Sequence, residues 1–128
     1  MKTVLIIDDE TDVTAIAKRK LESLGFQALT AKEGQEALSL LDSCKIDLIV
    51  LDVQMPGMNG YTFLTELRKH PNSNIAATPV IVVTAYAQNN PIFARHGIKA
   101  YLLKPLKLED LADKVQEFLG APKSENRL

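Results

Sequence analysis

The residues best suited to chemistry in this chain are acids. The stretch LIIDDETD sets Asp8, Asp9 and Glu10 directly after a short apolar run, and Asp52 stands after a second such run, Leu48 to Leu51. Two unit charges about 4 Å apart cost roughly 4 kcal/mol at an effective dielectric of ~20, so acids gathered in one place require compensation. A hard divalent cation supplies it, since Mg²⁺ takes one or two carboxylates together with carbonyls and waters. Two further strand ends add a hydroxyl, Thr84, and an ammonium, Lys104, just before Pro105. A carboxylate nucleophile, metal-binding acids, a hydroxyl donor and an ammonium together suit phosphoryl transfer. Taken one at a time they read more plainly: an Asp after a strand as a turn former or helix cap, Thr84 as a strand end, Lys104 as a surface lysine. What separates the two readings is whether one fold brings all of them to the same place.

Five apolar runs do the positioning: Val4 to Ile7, Gln27 to Thr30, Leu48 to Leu51, Val80 to Val83 and Ala100 to Leu103. Three are rich in Val, Ile and Leu with almost no alternation, the pattern of strands buried on both faces of a parallel sheet. The intervals carry helical spacing. Val13, Ile16, Ala17, Leu21 and Leu24 form one core-facing stripe that Gly25 should stop. Ala37, Leu38 and Leu41 form a second, Phe63, Leu64 and Leu67 a third, and Leu108, Leu111, Val115, Phe118 and Leu119 the last. Between Ala85 and Lys99, Asn90-Pro91 reads as a cap with proline at the first helical position and Gly97 as the stop, giving a fourth helix of about two turns. Ile92, Phe93 and Ile98 are expected in the core. Five strands alternating with five helices predict a doubly wound α/β fold with right-handed crossovers. In the flavodoxin-like order 2-1-3-4-5 the binding crevice lies between strands 1 and 3, whose ends carry Asp8-Asp9 and Asp52.

Composition narrows the possibilities. The 128 residues suit one domain, and 15 basic against 16 acidic residues leave a net charge of -1, so no global field favours nucleic acid or an acidic membrane surface. One cysteine, Cys44, forms no internal disulfide, no apolar run approaches the ~18 residues that span a bilayer, and no Cys/His spacing resembles a zinc site. A reducing, cytoplasmic setting is expected. Residues 120–128 are polar and contain Pro122, which predicts a domain over 1–119 followed by a polar tail or the start of a linker.

Asp8-Asp9, the run LDVQMPGMNG from Leu51 to Gly60, the pair Thr84-Ala85, and Tyr101 followed by Leu102-Leu103-Lys104-Pro105 occur in one chain and in this order. Together they resemble the receiver domains of two-component response regulators, over residues 3 to about 119. A HAD-type phosphatase would carry a second Asp two residues after the first, where Gln54 stands. The resemblance implies that Asp52 accepts a phosphoryl group from a phosphohistidine or a small acyl phosphate. It implies Mg²⁺ ligated by Asp9, Asp52 and the backbone carbonyl of Gln54, with Asp8 acting through bound water. Lys104 and Thr84 would hold phosphoryl oxygens, and the Lys104-Pro105 peptide would be cis, aiming Lys104 into the crevice. Pro56-Gly57 would form a tight turn below the acceptor, and Gly60 would let the third helix begin close by.

Phosphorylation adds charge and acceptor oxygens, and so can rearrange nearby donors. The resemblance implies that Thr84 then moves toward the phosphoryl group and Tyr101 rotates inward, reshaping the face of the fourth helix, fifth strand and fifth helix. Implied partners are a histidine kinase or histidine phosphotransfer protein and a downstream protein or output domain, with no direct contact to nucleic acid or membrane. Gln54 and Tyr86 fall at rim positions that tune phosphoryl lifetime in such domains, and Gln88 to Pro91 should shorten the fourth helix. Two other readings compete. A pseudo-receiver would keep the fold without the chemistry, against which stand Asp9, Asp52, Thr84 and Lys104. A flavodoxin-like cofactor binder would want a Gly-, Ser- or Thr-rich loop after strand 1, where this chain has acids.

Overall fold

The structure, a computed structural model, describes residues 1–53, 59–85, 96–98 and 100–120. Among the described residues ten elements follow in chain order: β1 (Thr3–Ile7), α1 (Thr11–Ser23), β2 (Gln27–Ala31), α2 (Gly34–Ser43), β3 (Leu48–Asp52), α3 (Gly60–Arg68), α4 (Ser73–Ala76), β4 (Val80–Thr84), β5 (Ala100–Leu103) and α5 (Leu108–Leu119). All strand pairs are parallel and the order is β2-β1-β3-β4-β5, the doubly wound flavodoxin-like arrangement expected from sequence.

The continuous apolar runs behave as strands covered on both faces: every residue of β1, β3 and β4 is buried. Period-two alternation divides their side chains between two cores. Leu5, Ile7, Ile49, Leu51, Val80 and Val82 pack with Ala37 and Leu41 of α2 and with Phe63, Leu64 and Leu67 of α3. Val4, Ile6, Leu48, Val50, Ile81 and Val83 pack with Ala17 and Leu21 of α1 and Leu111 and Val115 of α5. The outer strands are less covered: β5 alternates buried and exposed residues, and in β2 only Ala28 and Ala31 are buried.

A local signal ends α1 where expected. Gly25, at φ +97°, follows α1; its N–H bonds the carbonyl of Glu22, and the N–H of Phe26 bonds that of Leu21, both at 3.1 Å. This is a Schellman ending, completed by apolar Phe26 and Leu21 in one core. Gly97 likewise has a positive φ, and Ile98 is buried.

Three expectations need correction. The buried face of α1 is Thr14, Ala17 and Leu21, while Ile16 is 53% exposed. At 100° per residue Ile16 lies about 140° around the helix from Leu21, outside the arc that faces the sheet. Phe118, on the last turn of α5 between exposed Glu117 and the helix end, keeps 37% of its surface in water. The helical turn α4 was not expected at all; Asn72 starts it by accepting from the N–H groups of Asn74 and Ile75. The helix expected from Asn90, together with Ile92 and Phe93, lies outside the described residues, as does the tail beyond Gly120. Among the described residues, no helix is long and apolar enough to cross a membrane.

Candidate functional site

The strand register gathers the candidate residues. Ile7 lies beside Leu51, Asp52 beside Val83, and Thr84 beside Leu103, so Asp8, Asp52, Thr84 and Lys104 emerge at one end of the sheet. Asp8 is held from both sides: its N–H donates to the carbonyl of Ala31 at 3.0 Å, and its Oδ1 accepts from the N–H of Glu10 at 2.9 Å. Asp8 and Asp52 are buried, with 7% and 2% exposure, while Asp9 faces solvent. One carboxylate oxygen from each of the three lies within 4.8 Å of the others. Lys104 Nζ stands 3.0 Å from Asp52 Oδ1, and the Lys104 N–H donates to the carbonyl of Thr84 at 2.9 Å. The Lys104-Pro105 peptide is cis.

Burial pushes the Asp8 carboxyl up to about 6, and the charges of Asp52 and Glu10 push the same way against the Glu10 N–H and the Lys104 ammonium. Three carboxylates thus face one ammonium. The donor set is all hard oxygen, with its open side at exposed Asp9, where waters can complete a coordination shell. That chemistry fits a hard divalent cation of the Mg²⁺ class and is unlike the nitrogen and sulfur sites of zinc.

The floor of the site is set by close packing. A Cβ placed on Gly60 would stand 2.4 Å from Val53 Cα, and the Gly60 N–H bonds the Val53 carbonyl at 3.2 Å. Only glycine lets α3 start against the residue that follows Asp52. Asn59 caps this helix by accepting from the N–H of Thr62 at 2.9 Å, a cap that the sequence reading passed over.

Comparison with known proteins decides what this crevice belongs to. Residues 4–116 match the family described as the response regulator receiver domain. This chain is a response regulator receiver domain. As such it is a signalling component of the two-component type. The receiver is 36% identical over 121 residues to the transcriptional regulatory protein CpxR of Klebsiella pneumoniae, covering 93% of this chain and 50% of that protein. It is 38% identical over 120 residues to the sensor kinase CckA of Brucella abortus, covering 91% of this chain and 12% of that protein. The chain therefore spans half or less of the length of these relatives. Among solved structures, the chemotaxis protein CheY4 of Vibrio cholerae superposes with a TM-score of 0.85 at 28% identity, covering 92% of this chain and 98% of that one.

In the receiver crevice, then, stand Asp8, Asp9, Asp52, Thr84 and Lys104, all read from sequence. Tyr101 stands on the edge strand of the sheet. It lies on β5 beside Val82, 38% exposed, on the face of the strand opposite to buried Ala100 and Leu102. Gln54, Pro56-Gly57, Tyr86 and Gln88 to Pro91 fall outside the described residues. Val53 and Asn59, which shape the floor, were not singled out in the sequence because neither carries reactive chemistry.

Proposed function

We propose that this receiver accepts a phosphoryl group on Asp52 from a histidine kinase or histidine phosphotransfer protein, in the cytoplasm, with residues 1–119 as the working unit and 120–128 as a tail or linker start. The observation that carries the reading is the 3.0 Å contact between Lys104 and the nearly fully buried Asp52, beside the Asp8 and Asp9 carboxylates. A buried carboxylate carrying its own ammonium, among further acids, is an arrangement suited to receiving a phosphoryl group. Asp9 and Asp52 would ligate Mg²⁺ directly, the backbone carbonyl of Gln54 would add a ligand, and Asp8 would act through bound water. Bound Mg²⁺ supplies charge neutralisation, screening the acceptor from the incoming phosphate.

Asp52 attacks phosphorus through a carboxylate oxygen. The new O–P bond forms as the P–N bond of the donor phosphohistidine breaks, and the leaving imidazole nitrogen keeps the electron pair and takes up a proton. Lys104, already at the acceptor, shifts its ion pair from Asp52 to a phosphoryl oxygen, and Thr84 donates a hydrogen bond from its hydroxyl to another. Attack by water on the same phosphorus cleaves the O–P bond and resets the site, so the domain catalyses its own phosphorylation and dephosphorylation and acts as a switch. Movement of Thr84 draws Tyr101 inward and changes the face formed by the helix expected near Asn90 to Gly97, β5 and α5, where a downstream protein or output domain is recognised.

The test is intact mass after incubation with Mg²⁺ and acetyl phosphate, beside Asp52→Asn. One added phosphoryl group, dependent on Mg²⁺, labile to alkali and absent from the variant, is the expected result. Failure to form an adduct with acetyl phosphate, a phosphohistidine donor and beryllofluoride alike would leave a receiver fold without receiver chemistry.

A further inference from the structure

One charged side chain far from the crevice takes no part in the reaction above. Arg68, the last residue of α3, donates from Nε to the carbonyl of His96 at 2.8 Å and from Nη1 to the carbonyls of Ala76 at 2.9 Å and Thr78 at 2.7 Å. Burial lowers its pKa, yet a guanidinium stays charged in a protein. All three acceptors are main-chain oxygens, so the cation is stabilised here by neutral dipoles.

Those oxygens belong to two separate pieces of chain. Ala76 and Thr78 lead into β4, which ends in Thr84, and His96 lies just ahead of β5, which carries Tyr101. One side chain thus ties the approaches to both strands to α3, whose first residue packs against Val53 next to Asp52. Thr65, one turn earlier on the same helix face, adds a second hold. Its hydroxyl donates to the Tyr61 carbonyl at 3.1 Å and so accepts from His96 Nε2 at 3.4 Å. Gly97, at φ +74°, then turns the chain so that Ile98 enters the core with Phe63, Leu64 and Leu67. A lysine could not reproduce this, because a single ammonium lacks the planar fork that serves two segments at once.

We infer that Arg68 is a positioning residue of the switch: it fixes the near ends of β4 and β5 to α3, so that displacement of Thr84 reaches Tyr101 and is not lost in sliding between the two strands. The inference rests on the reading of Thr84 and Tyr101 as switch residues. Bistable packing needs such a fixed reference, since a change at one point is passed on only through parts that hold their places.

The experiment compares the full chain with Arg68→Gln and Arg68→Lys, with and without Mg²⁺ and beryllofluoride. Tyr101 is followed by ¹⁹F NMR of fluorotyrosine, its signal assigned by absence from Tyr101→Phe. Amide exchange is recorded alongside. In Arg68→Gln the beryllofluoride adduct still forms, exchange at Ile98 to Leu102 rises on the order of tenfold relative to β1 and β3, and the Tyr101 displacement falls below about half that of the parent. Arg68→Lys follows the glutamine variant at Ile98 to Leu102, because charge without the fork does not restore the hold. An unchanged Tyr101 displacement, or exchange that rises equally in all strands, overturns the inference and leaves Arg68 a general stabiliser. If Arg68→Gln does not fold, Thr65→Val, which loses the side-chain hold on His96 and a bond to the Tyr61 carbonyl within the same helix but keeps Arg68, must show the same pattern at smaller amplitude, and no change there overturns it equally. A parent chain whose Tyr101 does not respond would instead defeat the switch reading itself, and the inference with it.

Discussion

At one end of the sheet Asp52 is buried beside Asp8 and Asp9 with the Lys104 ammonium at 3.0 Å, and at the other Arg68 is half-buried against three carbonyls at 2.7 to 2.9 Å. Both ends take charge out of water, but they treat it differently. The cation is met by dipoles that favour it and holds chain segments in place. The acids are set where they repel, with burial holding one of them partly protonated near neutral pH. A charge that holds the fold meets groups that favour it; acids gathered for chemistry also repel one another, and a cation would relieve that repulsion.

If that contrast is right, removing each charge moves stability in opposite directions. Arg68→Met strands three carbonyls and should cost about 3 kcal/mol, roughly 10 °C in melting temperature for a domain of this size. Asp52→Asn removes a repelling charge, and Lys104, partly exposed, can turn to water. That variant should melt at or above the parent temperature while losing all phosphorylation. Thermal unfolding of the three metal-free proteins decides the matter, and a fall for both variants would erase the distinction.

The two ends meet through α3, and Gly60 is where its start presses on the site. Gly60→Ala forces Val53 and its neighbour Asp52 aside, because the new Cβ would overlap backbone that cannot rotate away. We expect a loss of about 1–3 kcal/mol from overpacking and a fall in phosphorylation rate toward 10²-fold, the effect of ~1 Å of misplacement. Rates with acetyl phosphate at saturating Mg²⁺ test this; a stable variant of parental rate would show that the floor does not set the acceptor.

Much of the mouth was legible in the sequence because each of its residues stands at the end of a short apolar run that reads as a strand, three of them as strands buried on both faces, and parallel topology brings such ends together. Legibility stopped where packing and backbone partners take over. Arg68 reads as one more basic residue on a helix, since carbonyls 8 to 28 residues away leave no mark in side-chain types. Ser73–Ala76 is too short to show a period and exists because Asn72 caps it. Ile16 looked like core because it is apolar and near the stripe, but its direction is set by helix rotation.

The smallest effect concerns Asp8, where a repelling charge should show itself as a dependence on pH. Its carboxyl is raised from 3.8 to about 6 in the fold, so between those values the folded protein binds a proton that the unfolded chain has released. Stability of the metal-free protein must therefore fall as pH rises from about 4 to about 6 and level off above, by at most ~1–2 kcal/mol once water at the open mouth is allowed for. Asp8→Asn should remove this slope. Mg²⁺ favours the ionised carboxylate, so its stabilising effect should be weak at pH 5 and reach full size only above the raised pKa. Melting temperatures measured across this range, with and without Mg²⁺, test both trends together. Were Asp8 instead an acid kept for stability, as Arg68 is a base, its carboxylate would be favoured by the fold, and the metal-free protein would gain stability over the interval in which it is here expected to lose it.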